Sequence, residues 1–358
     1  MLRVKVSFPS GSGETLLLPE HSKVGDLKVM AQKSLGQGFL KLVTEEGHVL
    51  TNPEDSLEDA GVQDSDHLTA VAQQAQVAAL SFGFALWCCG GNRVVVWGNP
   101  RYADCSSVQD QNLQQIQATN DSFAAILADG SVVVWGDPSF GGDCSSVQDQ
   151  LRNVQKIQAT AWGAFCAILA DGSVVAWGDE NFGGDCSAVQ NQLRNVDQIK
   201  ATKGAFAAIL ADRSVIAWGA VQFGGDCSFV QLRNVKQIQA TNAAFAAILA
   251  DGSVTTWGDR ALGGDCSAVQ DQLRNVEQIQ ATCGAFAAIL ADGSVITWGS
   301  PDCGGDSSAV QDQLRNVQQI QSTDRAFAAI SADGSVSAWG NPRYGGDCSA
   351  VQDQLQYV

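Results

Sequence analysis

Histidine is nearly absent from this chain: three residues in 358, His21, His48 and His67, and none beyond them. That excludes Ser-His-Asp and Cys-His nucleophile pairs, and the usual zinc ligand sets, from everything after residue 67. The three histidines are spread along a short segment and read as surface or half-buried side chains, not ligands. Basic residues are scarce too. Lys and Arg number 21 against 38 Asp and Glu, a net charge of −17. Phosphate binding needs clustered Lys and Arg, so no nucleic-acid partner is expected, and no anionic membrane surface. There is no apolar run of about 18 residues and no N-terminal secretory pattern, so the expectation is a soluble intracellular protein, cytoplasmic or nuclear. The chain has no CxxC pair, and Gly11-Ser12-Gly13 is too small a fragment to make a phosphate loop. No enzyme signature appears, and no cofactor or metal is expected.

What is present is repetition. Trp-Gly pairs begin at Trp97, Trp135, Trp177, Trp218, Trp257, Trp298 and Trp339, spaced by 38 to 42 residues. Around each lies one phrase, seen in the third copy as VQKIQATAWGAFCAILADGSVVAWGDENFGG, Val154–Gly184. Self-similarity at a fixed period of this length means a repeat architecture, and seven copies of one unit suit a closed ring. Two domains follow: residues 1–73 without the phrase and 77–358 made of it, joined by the polar stretch Ala72–Gln76.

Within the third copy, Val154–Thr160 reads as a first strand anchored by Val154 and Ile157. Ala164–Leu169 is a continuous small and apolar run, suited to a strand covered on both faces. Asp171-Gly172 is a two-residue turn of the kind that supplies positive φ, so Phe165–Leu169 should pair with Ser173–Trp177. The turn recurs in most copies. Asp212-Arg213 breaks it in the fourth with local strain, and Gly91-Asn92 stands there in the first. A fourth apolar segment containing Val189 and Leu193 follows, giving three to four short strands per copy, the size of a propeller blade. A tryptophan buries roughly 150–250 Å², worth at most about 4–6 kcal/mol. Core packing is therefore the default role of these indoles.

Of the eleven cysteines, Cys105, Cys144, Cys186, Cys227, Cys266 and Cys348 share one position in the repeat, with Ser307 there in the sixth copy. Equivalent positions on neighbouring blades lie beyond disulfide reach. They read as free thiols acting as small buried hydrophobes in a reducing compartment. Asp143, Asp185, Asp226, Asp265, Asp306 and Asp347, each after Gly-Gly, recur too widely to share calcium ions. They read as acceptors for local backbone N–H groups.

The first 73 residues alternate strand and helix signals. Leu2, Val4 and Val6 alternate with polar residues, and Thr15–Leu18 returns as a hairpin. Ser22 reads as the N-cap of a helix carrying Val24, Leu27 and Ala31. Phe39–Thr44, His48–Leu50 and His67–Val71 read as strands, with a helical turn at Ser56–Ala60. This order, with Lys41–Val43 and the phrase SLEDAGVQDSDHLTAV at Ser56–Val71, resembles the ubiquitin-like family of β-grasp domains. The resemblance implies a built-in domain, not a conjugated modifier, because Val71 runs on into further chain. It also implies a docking patch at Val43, Thr69 and Val71, with Thr69 where the family carries a histidine.

The repeat, with tokens such as DGSVVAWG (Asp171–Gly178) and the following aromatic-Gly-Gly, resembles the regulator-of-chromosome-condensation repeat. It is shorter, and nearer in length to relatives among the β-lactamase-inhibitor proteins. The resemblance implies a mainly β fold: a seven-bladed β-propeller over 77–358 after a small α+β domain. The ring is expected to close by pairing Cys348–Val358 into the blade that holds Val94–Trp97.

Two slots vary between copies. The first, between the first and second strands, holds Ser81-Phe82, Asn120-Asp121, Ala161-Trp162, Lys203-Gly204, Asn242-Ala243, Cys283-Gly284 and Asp324-Arg325. The second follows Trp-Gly and includes Arg101, Arg260 and Arg343. Recurrence on every blade makes each slot a ring of candidate contacts, with Phe82, Trp162 and Arg325 as anchors. The expected function is a non-enzymatic interaction scaffold or adaptor: propeller loops bind a protein partner, and the first domain links to ubiquitin or proteasome components. One alternative is guanine-nucleotide exchange on a small GTPase, although the family's Gly-x-x-His stretch is replaced by residues such as Ser122-Phe123. Another is substrate recognition within a ubiquitin ligase, since no ligase catalytic element is present. Ultraviolet sensing is disfavoured, because only Trp162 occupies a variable slot.

Overall fold

A computed structural model describes residues 1–73, 75–81, 83–88, 94–99, 104–109 and 111–355. The chain divides into two compact units, Met1–Ile116 with Ala125–Asp129, and Gln117–Ala124 with Gly130–Val358.

The N-terminal residues pair β1 (Leu2–Ser7) with β2 (Gly13–Leu18), continue through helix α1 (Val24–Leu35), and add β3 (Leu40–Val43) and β4 (His67–Ala72). The sheet order is β2-β1-β4-β3, with β1 and β4 parallel at its centre, a β-grasp arrangement. Alternation sets the faces: Val4, Val6, Leu42, Leu68 and Ala70 turn inward onto Leu27 and Ala31 of the helix. Two local expectations are corrected. Lys23, not Ser22, caps the helix, its N–H donating to Asp26 Oδ2 at 2.9 Å. His48–Leu50 contributes only a bridge, Val43 to Val49, because the tight turn before it leaves too few residues for a ladder. Ser56–Ala60 closes a single helical turn as expected, Ala60 N–H donating to Ser56 O at 3.0 Å.

Each of the seven copies folds as a three-stranded antiparallel sheet, a propeller-type blade, so the fold is mainly β with a small α+β domain ahead of it. In the third copy the strands are Val154–Ala159, Ala164–Leu169 and Val174–Gly178, and Phe165 faces Trp177 across the ladder as expected. The two rings stack at 5.3 Å, and the same pair stacks in every copy. Successive blades lock through this pair. From the third copy to the seventh, the indole of Trp-Gly donates to the first glycine of the preceding Gly-Gly, as Trp218 Nε1 does to Gly183 O at 3.0 Å. That glycine has φ 104°, and a Cβ on it would stand 2.7 Å from the Phe206 ring. Small size and positive φ are both required there, which explains why Gly-Gly travels with Trp-Gly.

The fourth apolar segment adds no strand. Its backbone is consumed locally, with Val189 N–H donating to Cys186 O at 3.0 Å and Leu193 N–H to Val189 O at 3.3 Å. Asn195 then turns the chain through φ 54° into the next blade. The C-terminal segment behaves alike. Ser349–Val351 and Gln352–Leu355 are helical turns, and Gln352 Nε2 reaches back to Val336 O of its own copy at 3.4 Å. The closing strand expected of Cys348–Val358 is therefore not formed among the described residues; residues 356–358 and the Gly91-Asn92 turn lie outside them.

The shared cysteine is more than a small hydrophobe. Cys186 Sγ–H donates to Gln190 Oε1 at 2.9 Å, and Gln190 Nε2 donates to Val174 O at 2.9 Å. This relay ties the turn segment to the third strand. Ser307 fits the same place because its hydroxyl donates to Gln311 Oε1 at 2.8 Å. The tryptophans of six Trp-Gly pairs are buried, but Trp97 in the first copy is 45% exposed, which corrects the expectation that all seven pack in the core. At the other end of the array Ile330 is 42% exposed where its counterpart Ile289 is 5%.

Candidate functional site: one rim of the blades

The first variable slot is positioned by main chain alone. Asn120 N–H donates to Ala161 O at 2.8 Å, Trp162 N–H to Lys203 O at 3.0 Å, and Lys203 N–H to Asn242 O at 2.9 Å. Asn242 N–H continues to Cys283 O at 2.9 Å, and Cys283 N–H to Asp324 O at 2.8 Å. One backbone hydrogen bond thus passes from each loop to the next across six copies, whatever the side chains are. Beneath the loop a buried threonine fixes the turn. Thr202 Oγ1 accepts the Ala205 N–H at 3.0 Å and donates to Phe223 O at 2.9 Å.

Phe223 lies in the short 3-10 turn that carries the second slot, so Thr202 joins the two slots. In the third copy the equivalent turn, Glu180–Phe182, is capped by the residue before it, where Asp179 Oδ1 accepts the Asn181 N–H at 2.9 Å. Both slots therefore sit at the same end of the blades, with the Asp-Gly hairpins at the opposite end. Sequence reasoning treated them as separate rings. It also missed the residue that joins them, the one before Gly-Gly: Phe140, Phe182, Phe223, Leu262, Cys303 and Tyr344. Its variability was the available signal, hidden by reading it as part of a fixed aromatic-Gly-Gly phrase.

The third copy is one residue longer here, since four residues separate Thr160 from Phe165 where three separate Thr202 from Phe206. The extra residue is accommodated as a half-exposed Trp162. Its ring meets Phe182 edge-on at 5.0 Å and Phe223 at 4.6 Å, making an aromatic cluster that spans two copies. Such pairs gain about 0.5–1.5 kcal/mol beyond area burial, so the indole is held in place rather than free. Arg325 lies over the Tyr344 ring at 5.3 Å, with Asp324 Oδ2 3.5 Å from its Nε. Tyr344 and the neighbouring thiols reinforce its positive charge, raising its pKa. Arg260 is engaged elsewhere: Nε and Nη2 both bind Asp265 Oδ2, at 3.1 and 2.7 Å. Together with the Ser267 N–H and hydroxyl, which act first, this lowers the Asp265 carboxyl to about 2. Lys203, Asn120, Asp121 and Asn242 are half-exposed on the same rim, and Arg343 is exposed. Phe82 and Arg101 lie outside the described residues.

The aspartates after Gly-Gly accept backbone N–H groups as expected. Asp185 Oδ1 takes the Ser187 N–H at 2.8 Å, and Asp143 takes that of Ser145 at 2.8 Å. On the N-terminal sheet, Val43 pairs directly with Thr69, and Val71 follows on the same outward face, 41% exposed. The three patch residues are thus brought together. His67 hydrogen-bonds Ser7 beside them. A separate concavity of about 430 Å³ lies between the N-terminal helix and the first blade, lined by Phe39, Leu86, Trp87 and Val95 with Lys28 and Lys41.

No family model matches the chain. No curated protein matches it. Among solved structures, it is similar to the CRINKLY WD40 ectodomain of the Arabidopsis thaliana receptor kinase ACR4, 14% identical with a TM-score of 0.44, over 75% of this chain and 97% of that one. It is similar to Prp20p of Saccharomyces cerevisiae, described with its binding to Gsp1p and histones, at 17% identity and a TM-score of 0.40 over 64% and 73% of the two chains. An N-terminal ubiquitin-like domain, in the 4931431F19Rik protein, is 27% identical with a TM-score of 0.19, over 20% of this chain and 75% of that one. These likenesses accompany the propeller-type blades and add no function to them.

Proposed function

We propose that the chain is a non-enzymatic interaction protein that binds a protein partner on the slot-bearing rim. The observation that carries this is Trp162: an inserted, half-exposed indole seated between Phe182 and Phe223, with Lys203 and Asn242 on the same backbone-bonded row. A rigid aromatic anchor among adaptable polar side chains is the composition of an interface hot spot. The outward patch of Val43, Thr69 and Val71 would give the ubiquitin-like N-terminal domain its own contact, linking the partner to ubiquitin or proteasome components.

The test is quantitative capture by the immobilised full chain, compared with Trp162→Ala on the rim and Arg274→Ala at the hairpin end. A partner lost with the first variant and kept with the second supports the reading. Capture indifferent to Trp162 and to Lys203→Glu would sink it. Release of labelled guanine nucleotide from small GTPases, accelerated by the chain, would favour the exchange activity instead.

A further inference from the structure

The sixth copy differs from all others at two places on the rim. Cys283 stands where other copies have Asn120, Ala161, Lys203, Asn242 and Asp324; Cys303 stands where they have Phe140, Phe182, Phe223, Leu262 and Tyr344. The two sulfurs lie 3.3 Å apart. Neither belongs to the repeated thiol–glutamine relay, and Cys283, unlike the fully buried Cys166, is reachable from the rim.

Both backbones are pinned while the thiols meet. Cys283 N–H donates to Asp324 O at 2.8 Å, and Cys283 O accepts from Asn242 N–H at 2.9 Å. Cys303 O accepts from Thr282 Oγ1 at 2.8 Å, and Cys303 N–H donates to Ser300 O at 3.0 Å. Cys283 is half-exposed at the rim, with Cys303 buried beneath it. The guanidinium of Arg325, whose Nε has no hydrogen-bond partner, is the nearby positive charge. From 3.3 Å, the sulfurs have only a short way to move to the roughly 2.0 Å of a disulfide bond.

We propose that Cys283 and Cys303 form a dithiol modification site, closing to a reversible disulfide when a peroxide or a small-molecule disulfide reaches the exposed Cys283. With hydrogen peroxide, the Cys283 sulfur attacks one oxygen, the O–O bond breaks, and water leaves with the thiol proton. The Cys303 sulfur then attacks the sulfenic sulfur, the S–O bond breaks, and a second water leaves. Two thiols and one peroxide become one disulfide and two waters. With a small disulfide, a mixed disulfide forms first and two small thiols are released. Burial, the neighbouring thiol and Asp324 push the Cys283 thiol up to about 12, against the pull of Arg325. The thiolate fraction at neutral pH is therefore small, and closure is slow rather than instantaneous.

The site is read out by treating the full chain with hydrogen peroxide or glutathione disulfide, blocking remaining thiols, and mapping peptides. No Lys or Arg lies between Arg274 and Arg315, so trypsin leaves both cysteines in one peptide, and cleavage before Asp292 and Asp302 separates them. The expected result is an Asn275–Arg315 peptide lighter by two hydrogens, unblocked at both cysteines and restored by dithiothreitol. Cys283→Asn and Cys303→Phe, the residues of other copies, should each abolish the change while keeping the melting temperature near that of the parent. A monothiol-reactive blocker labelling both cysteines after oxidation, or disulfides only elsewhere in the chain, overturns the proposal. So does failure of phenylarsine oxide, which bridges close thiol pairs, to protect these two from the blocker.

Discussion

Trp218 donates its indole N–H to the carbonyl of Gly183 in the preceding copy, 3.0 Å away, while that glycine's α-carbon faces Phe206 of the indole's own copy. One residue therefore accepts the hydrogen bond and leaves room for the ring. Gly183→Ala should be costly in two ways: a strained positive φ of about 1–3 kcal/mol and overpacking of about 1–3 kcal/mol. Urea unfolding should show a loss of at least about 2 kcal/mol, and Gly345→Ala, where a Cβ meets nothing, should lose less.

The thiol–glutamine relay predicts an asymmetry. Cys186→Ser keeps a donor for Gln190 and should cost less than about 1 kcal/mol, as Ser307 already illustrates. Gln190→Ala strips both Cys186 and Val174 O of a partner and should cost about 1–3 kcal/mol. Chemical denaturation of the two variants side by side decides it; equal losses would refute the relay.

Arg213 adopts φ 66° in the turn where five other copies place glycine. The left-handed conformation costs a non-glycine residue about 1–2 kcal/mol, and glycine gives back about 0.5–1 kcal/mol in unfolded-chain entropy. Arg213→Gly should therefore raise stability by roughly 0.5–1 kcal/mol, read as a higher denaturation midpoint.

The turn aspartates make the protein acid-sensitive. Hydrogen bonds from serines two residues on lower Asp143, Asp171, Asp185, Asp251, Asp292 and Asp306 below the ordinary 3.8. A folded-state pKa below the unfolded one stabilises above the unfolded value and is lost as pH falls through the folded one. The melting temperature should be flat above pH 5 and drop between about pH 4 and 2, with Asp265, held near 2, the last to protonate. A midpoint unchanged down to pH 2 would contradict this.

Much of the blade was legible because its signals are local. Asp171-Gly172 announced the hairpin, and the run Ala164–Leu169 announced a strand covered on both faces; both appear as read. The segment around Val189 was not, because its apolar residues anchor turns closed by local N–H bonds, and hydrophobicity alone does not separate turn from strand. On the rim, the sequence picked out Trp162 and Arg325 but kept the two slots apart. Their union rests on Thr202 and its counterparts, a through-space link between residues about twenty apart. The pairing of Cys283 with Cys303 was invisible for the same reason.

Because the loop-to-loop bonds from Asn120 to Asp324 use only peptide groups, this link between copies does not depend on which side chain each position carries. The row is consequently a natural display surface. Randomising residues 120, 203, 242 and 324 together should yield libraries whose members keep the parent architecture while differing in what they grip.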